Sequence, residues 1–190
     1  MGLLVTRSRY MDDYLSERIR DGIKQLVILG AGYDSRAYRF EQLRDRVRVF
    51  EVDSYATQDI KKAKLVKIFG ELPNHVTFVP VDFTRETLEK RLAESSYDEG
   101  AKTLFIMEGV AMYLNPEAMD NIMSFVNGYS GSESSILFDY FYKSVIDGDE
   151  ELPLATATRA IIRFREKFQF GIERGQIEGY LTARGFQHIH

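Results

Sequence analysis

The sequence predicts a doubly wound α/β domain on a mostly parallel sheet, and three observations carry that expectation. Five short apolar or β-branched runs, at residues 25–29, 47–52, 76–81, 103–107 and 136–141, alternate with segments of helical spacing. The first run ends in Gly30-Ala31-Gly32, the pattern of a buried strand entering a tight turn. Acids stand at the ends of the next three runs: Asp53, Asp82 and Glu108. Parallel strands require crossover connections, almost always right-handed, and such sheets bind ligands at their strands' carboxyl ends.

Taken in order, Thr6 is the expected N-cap of a first helix, in which Met11, Tyr14, Leu15 and Ile19 recur at helical spacing before Gly22 stops it. The preceding Met1-Gly2-Leu3-Leu4-Val5 satisfies a loose acylation pattern that reads equally well as the lead-in to a helix. A helix is expected after the glycine turn. The second run is followed by Asp53-Ser54, a source of caps for a helix reaching about Gly70, and Pro73-Asn74 then breaks the chain. After the third run, Thr84 is positioned to cap a helix whose Leu88 and Leu92 share a face.

Asn115-Pro116, a cap with proline at the first helical position, opens a helix with an apolar face of Met119, Ile122, Met123 and Val126. Residues 143–174 loosen into an acidic loop and a helix containing Ile161, Ile162 and Phe164, expected as a substrate-side insertion. A last helix spans about 176–184, ended by Gly185. With no repeat and no linker rich in proline, glycine or serine, residues 1–190 read as one domain.

A chain of 190 residues can bury a sizeable core without staples, and 44% hydrophobic with 28% charged residues places it among globular proteins. Its net charge of −4, with Lys and Arg scattered among acids, argues against a nucleic-acid surface. No apolar run approaches the roughly 20 residues that cross a bilayer and no signal peptide opens the chain, so no membrane partner and a cytoplasmic location are expected. The absence of cysteine removes disulfides, thiolate nucleophiles and zinc–cysteine sites.

The chemistry concentrates at the strand ends. Gly30 and Gly32 allow a turn with close backbone approach to a ligand, and Asp53 follows about twenty residues later, as in a Rossmann-like nucleotide-binding domain. The third glycine of a dinucleotide fingerprint would fall at Ser35, and Asp34 occupies the place where a pyrophosphate would meet a helix N-terminus. A carboxylate there repels phosphate. S-adenosylmethionine has no phosphate and carries sulfonium and ammonium charges, so acids around the turn favour it. Asp53 can accept hydrogen bonds from two ribose hydroxyls, Asp82 from the adenine amine, and Phe83 can pack the base. Glu108, beside an apolar run, needs a partner or a cationic ligand. Each acid also has a plainer reading as a helix cap; the three together are explained more economically by one shared cofactor.

The segments QLVILGAGYDSRAYR at 25–39, FEVD at 50–53 and EGVAMYL at 108–114 resemble the leucine carboxyl methyltransferase family and its bacterial relatives, in order and spacing, and the resemblance runs from about Thr6 to His190. It implies a class I S-adenosylmethionine-dependent methyltransferase fold and a carboxylate of a small molecule or peptide as methyl acceptor. By motif, Gly30 would approach the methionine part, and Ala31, Gly32 and Asp34 of the same turn are expected among the cofactor-binding residues. Asp53 would bind the ribose, Asp82 and Phe83 the adenine, Glu108 the amino end, and Arg7 would clamp the cofactor carboxylate. Arg36 and Arg39 also match, but no catalytic role falls to them; Arg39 is expected to pair with Glu41 or Asp45. Tyr113 is expected to pack, and His75 has no evident partner.

Relatives carry a longer amino-terminal segment and a final strand hairpin, so the sheet is expected to lack its last strand or strands. A carboxylate acceptor is already ionised near neutral pH and needs no general base. At the level of sequence, two other classes stay open: a nicotinamide-dependent oxidoreductase, and a non-catalytic cofactor-binding module of the same fold.

Overall fold

In the computed structural model, residues 2–83, 85–149 and 168–189 are described. Five strands form one all-parallel sheet in the order β3-β2-β1-β4-β5: β1 (Gln25–Leu29), β2 (Arg48–Asp53), β3 (Val76–Pro80), β4 (Thr103–Met107) and β5 (Ser135–Phe138). The chain runs outward from β1 to β3, then crosses back to place β4 on the other side of β1. The carboxyl ends of β1 and β4 therefore flank the point where strand order reverses, which opens a crevice there.

The strands are near-continuous apolar runs because both faces are covered. Leu26 and Ile28 of β1 pack with Val49, Leu104 and Ile106 against α1 (Gly2–Arg20) through Met11 and Leu15. Val27 and Leu29 face the other way, with Phe50, Val52, Phe105 and Met107, toward α4 (Leu88–Ala93) and α5 (Pro116–Gly128). Residues one apart on a strand thus serve opposite layers. Asn115 caps α5 by accepting from Ala118 N at 2.7 Å, and Met119, Ile122, Met123 and Val126 are all buried as their spacing requires.

Several boundaries differ from expectation. Helix α1 begins at Gly2, so Thr6 lies within it and is not its N-cap; the Gly2–Val5 stretch is helix. After the glycine turn comes only the four-residue α2 (Arg36–Arg39), followed by a 3-10 turn at Glu41–Leu43. Ser54 caps α3 (Tyr55–Phe69), accepting from Thr57 N at 3.4 Å. Thr87 caps α4; Thr84 lies outside the described residues. Strand β5 is shorter than the run that predicted it, ending at Phe138 and leaving Asp139 just past the sheet.

Within the expected insertion, α6 (Lys143–Asp147) is followed by 150–167, outside the described residues, which include Ile161, Ile162 and Phe164. The chain then returns with a parallel bridge between Tyr142 and Ile172 and enters α7 (Ile177–Thr182). Among the described residues, no helix is long and apolar enough to cross a membrane.

Candidate functional site

The site grows from the carboxyl end of β1. Gly30 takes φ +64°, a left-handed conformation, and a Cβ there would stand 2.3 Å from Val110 Cγ2. Ala31 N then donates to Val52 O at 3.0 Å, which extends the sheet by one bond, and Asp34 N closes the turn on Ala31 O at 2.7 Å. The turn is held from β2 as well. Gly32 N donates to Asp53 Oδ2 at 2.5 Å, while Ser54 N donates to Oδ1 at 2.6 Å.

Two clefts meet at Gly30. One, of about 290 Å³, is lined by Arg7, Ala31, Gly32, Asp34, Arg36 and Glu108 among others. The second, of about 520 Å³, is lined by Asp53, Ser54, Asp82, Phe83 and Val110. Arg7, Gly30, Ala31, Gly32, Asp34 and Glu108 line the first cleft and Gly30, Asp53, Asp82 and Phe83 the second, so every residue expected to bind the cofactor lies at the strands' carboxyl ends. Among the described residues Asp53 accepts two backbone bonds, one on each oxygen, which leaves each a further lone pair. Phe83 is half-buried against the core, and Asp82 sits 3.7 Å from Arg85 while its backbone N–H goes to Glu86.

The first cleft is organised by charge. Arg36 is 2% exposed and reaches three carboxylates: Asp12 at 2.8 Å, Asp34 at 2.6 Å and Glu108 at 2.7 Å. Burial works against its charge, but these carboxylates outweigh burial and raise its pKa. Glu108 also receives Arg7 Nε at 2.9 Å and Ser8 Oγ at 2.7 Å. Burial alone would push Glu108 up; the bonds from Ser8 and Arg36 and the nearby guanidiniums instead hold it below the usual carboxylate range. Asp12 is held low in the same way, with Arg39 and Arg36 overcoming its burial. Arg7 also donates from Nη1 to Asp139 Oδ2 at 2.7 Å, and Gly109 N donates to Oδ1 of that carboxylate at 2.6 Å.

These contacts revise individual roles. The cationic partner that Glu108 required is supplied by the protein itself, through Arg7 and Arg36. Asp34 accepts from Arg36 N at 2.7 Å and from its guanidinium, so it works as a paired cap more than as an open negative charge facing the turn. Arg39 pairs with Asp12, not with Glu41 or Asp45, because the short α2 turns its side chain toward α1. His75 Nε2 lies 2.8 Å from Ala37 O, and Tyr113 packs on Phe168 with ring centroids 5.3 Å apart. Sequence reasoning missed Asp12, Arg36 as a buried hub, and Asp139. Asp139 extends the rule already applied to β2, β3 and β4, an acid just after a strand, and could have been found by carrying it to β5.

The all-parallel sheet and its carboxyl-end crevice form a Rossmann-like frame, and solved class I methyltransferases share this fold. An O-methyltransferase family protein from Burkholderia thailandensis superposes with a TM-score of 0.63 at 16% identity, over 95% of this chain and 51% of that one. Human N-acetylserotonin methyltransferase in complex with SAM gives 0.56 at 15% identity, over 88% and 43%. At these identities the likeness is one of fold.

Sequence carries the relation further. The leucine carboxyl methyltransferase family model matches residues 1–127, and the chain belongs to that family. YktD of Bacillus subtilis (strain 168), whose name places it among S-adenosyl-L-methionine-dependent methyltransferases, is 37% identical over 136 residues, covering 72% of this chain and 44% of YktD. A protein of Mycobacterium sp. (strain JLS) named for the same activity is 32% identical over 189 residues, covering 96% and 60%. The chain thus spans about half the length of the curated relatives it matches.

Proposed function

We propose that the chain carries the cofactor-binding half of an S-adenosylmethionine-dependent methyltransferase that methylates a carboxylate oxygen of a small molecule or peptide. The observation that bears most weight is the charge balance of the rim. Arg7, Arg36 and Arg39 are each paired with carboxylates, while Asp53 keeps acceptor capacity toward the cleft. Such a rim favours a cationic, phosphate-free adenosyl group over a dinucleotide, which the family relation supports.

The residues fit that group by donor chemistry. Asp53 would accept from both ribose hydroxyls, each oxygen using the lone pair its backbone bond leaves over. Phe83 and Asp82 would hold the base, one by its face and the other by its carboxylate. Arg7 would share its guanidinium between Asp139 and the cofactor carboxylate. The cofactor, when bound, supplies an activated methyl group on a sulfonium. The protein's part is to align the acceptor oxygen with the carbon–sulfur bond and to exclude water. An ionised carboxylate has no proton to lose, so no base is required.

A screen of small carboxylic acids and peptide C-termini for methyl ester formation tests the acceptor. Ester from one such class is expected; transfer only to hydroxyl or nitrogen acceptors would refute carboxyl specificity while keeping the methyltransferase. Cofactor binding with no turnover on any acceptor would favour a binding module instead.

A further inference from the structure

Beneath the glycine turn lies a buried ion pair that the proposed chemistry does not use. Glu51, in the middle of β2, is fully buried, and Lys61 on α3 is 5% exposed, with Nζ 2.8 Å from Glu51 Oε1. Burying both charges costs more than one ion pair returns, so the pair calls for another reason to be there. Lys61 Nζ donates to Asp34 O at 2.9 Å and to Ala31 O at 3.3 Å, the two carbonyls at the ends of the turn. Burial pushes the Glu51 carboxyl above its usual range, and Lys61 and the Tyr38 hydroxyl work against that. Lys61 thus meets one carboxylate and the two carbonyls of the turn. The Tyr38 ring of α2 lies 5.4 Å from Nζ.

We infer that Lys61 is a positioning residue, held in the interior by Glu51 so that it fixes the Ala31–Asp34 turn in the shape that receives the cofactor. Asp53 grips the same turn from the cleft side through Gly32 N. The turn is therefore held from above by an acid that would touch the cofactor and from below by a lysine that would not. The cofactor part of this inference rests on the function proposed above.

The test compares Lys61→Met with the double variant Glu51→Leu/Lys61→Met. The single variant strands a buried carboxylate and is expected to lower Tm. The double variant removes both charges, and its Tm is expected to recover most of that loss, short of the contribution of the two carbonyl bonds Lys61 made. Despite that recovery, amide exchange at Gly32 and Asp34 should be about tenfold faster than wild type, a local opening invisible to global stability. S-adenosylhomocysteine, titrated by calorimetry, should bind about tenfold more weakly. A double variant with wild-type exchange and wild-type affinity would reduce the pair to core filling and overturn the inference. If wild-type protein binds no S-adenosylhomocysteine, the proposed function fails, and the exchange rates still decide whether Lys61 holds the turn.

Discussion

Replacing Arg36 by leucine removes a group that joins α1, the glycine turn and Glu108 at the end of β4. Its guanidinium is 2% exposed and bonds to Asp12, Asp34 and Glu108 at 2.6–2.8 Å. Leucine can fill part of the volume but leaves three carboxylates short of a partner. Glu108 keeps Arg7 and Ser8, and Asp12 keeps Arg39, whereas Asp34 loses its guanidinium outright. Breaking a buried pair by removing one side costs about 3–5 kcal/mol. For a domain of this size each kcal/mol is worth about 2–4 °C, so Tm should fall by roughly 6–20 °C. Denaturant unfolding measured across pH gives a second, sharper signature. Glu108 and Asp12 are held below their usual range when folded, so their contribution is complete above the unfolded value and is lost as pH falls through the folded one. The difference between wild type and Arg36→Leu should therefore be largest near pH 7 and shrink below about pH 4. A loss under about 1 kcal/mol, or one that does not change with acidification, would show that the network is not the support described here.

Gly30→Ala should cost about 1–2 kcal/mol for the left-handed backbone and about 1–3 more for the forced shift of Val110, read by urea unfolding; adding Val110→Ala should relieve only the second part. Asn115→Ala removes the cap of α5 and should lower stability by about 1 kcal/mol with no effect on cofactor affinity. Asp139→Ala strips a partner from both Arg7 and Gly109 N, and a loss of about 1–3 kcal/mol is expected in the same unfolding assay; no loss would mean that Arg7 is held by Glu108 alone.

Much of this architecture is legible in the amino-acid order because the strands are buried on both sides. The runs at β1 and β4 are apolar after Gln25 and Thr103 and their expected bounds match the strands, and Asn115-Pro116 marks its helix start without ambiguity. Boundaries failed where competing caps were present. Thr6 has the chemistry of an N-cap but sits inside α1, and Thr87, not a residue nearer β3, starts α4. The site was legible as a rim and not as a circuit. Acids after strands identified Asp53, Asp82 and Glu108, but nothing local tells Arg36 that its partners lie on α1 and β4, 24 and 72 positions away in the chain. Glu51 did carry a signal, an acid inside an otherwise apolar strand, which by itself implies a buried counter-charge. Its partner Lys61 lies on a helix with exposed residues on several sides, where helical spacing does not single it out.

The decisive property of the site is which ligand the rim accepts. Calorimetric titration of the intact protein with S-adenosylmethionine, S-adenosylhomocysteine and a nicotinamide dinucleotide, repeated on Asp53→Ala, decides it. The two adenosyl compounds should bind, the dinucleotide should not, and Asp53→Ala should lose at least about tenfold in affinity with the removal of charge-assisted bonds to the ribose. Tight dinucleotide binding, with no heat from either adenosyl compound, would contradict the account.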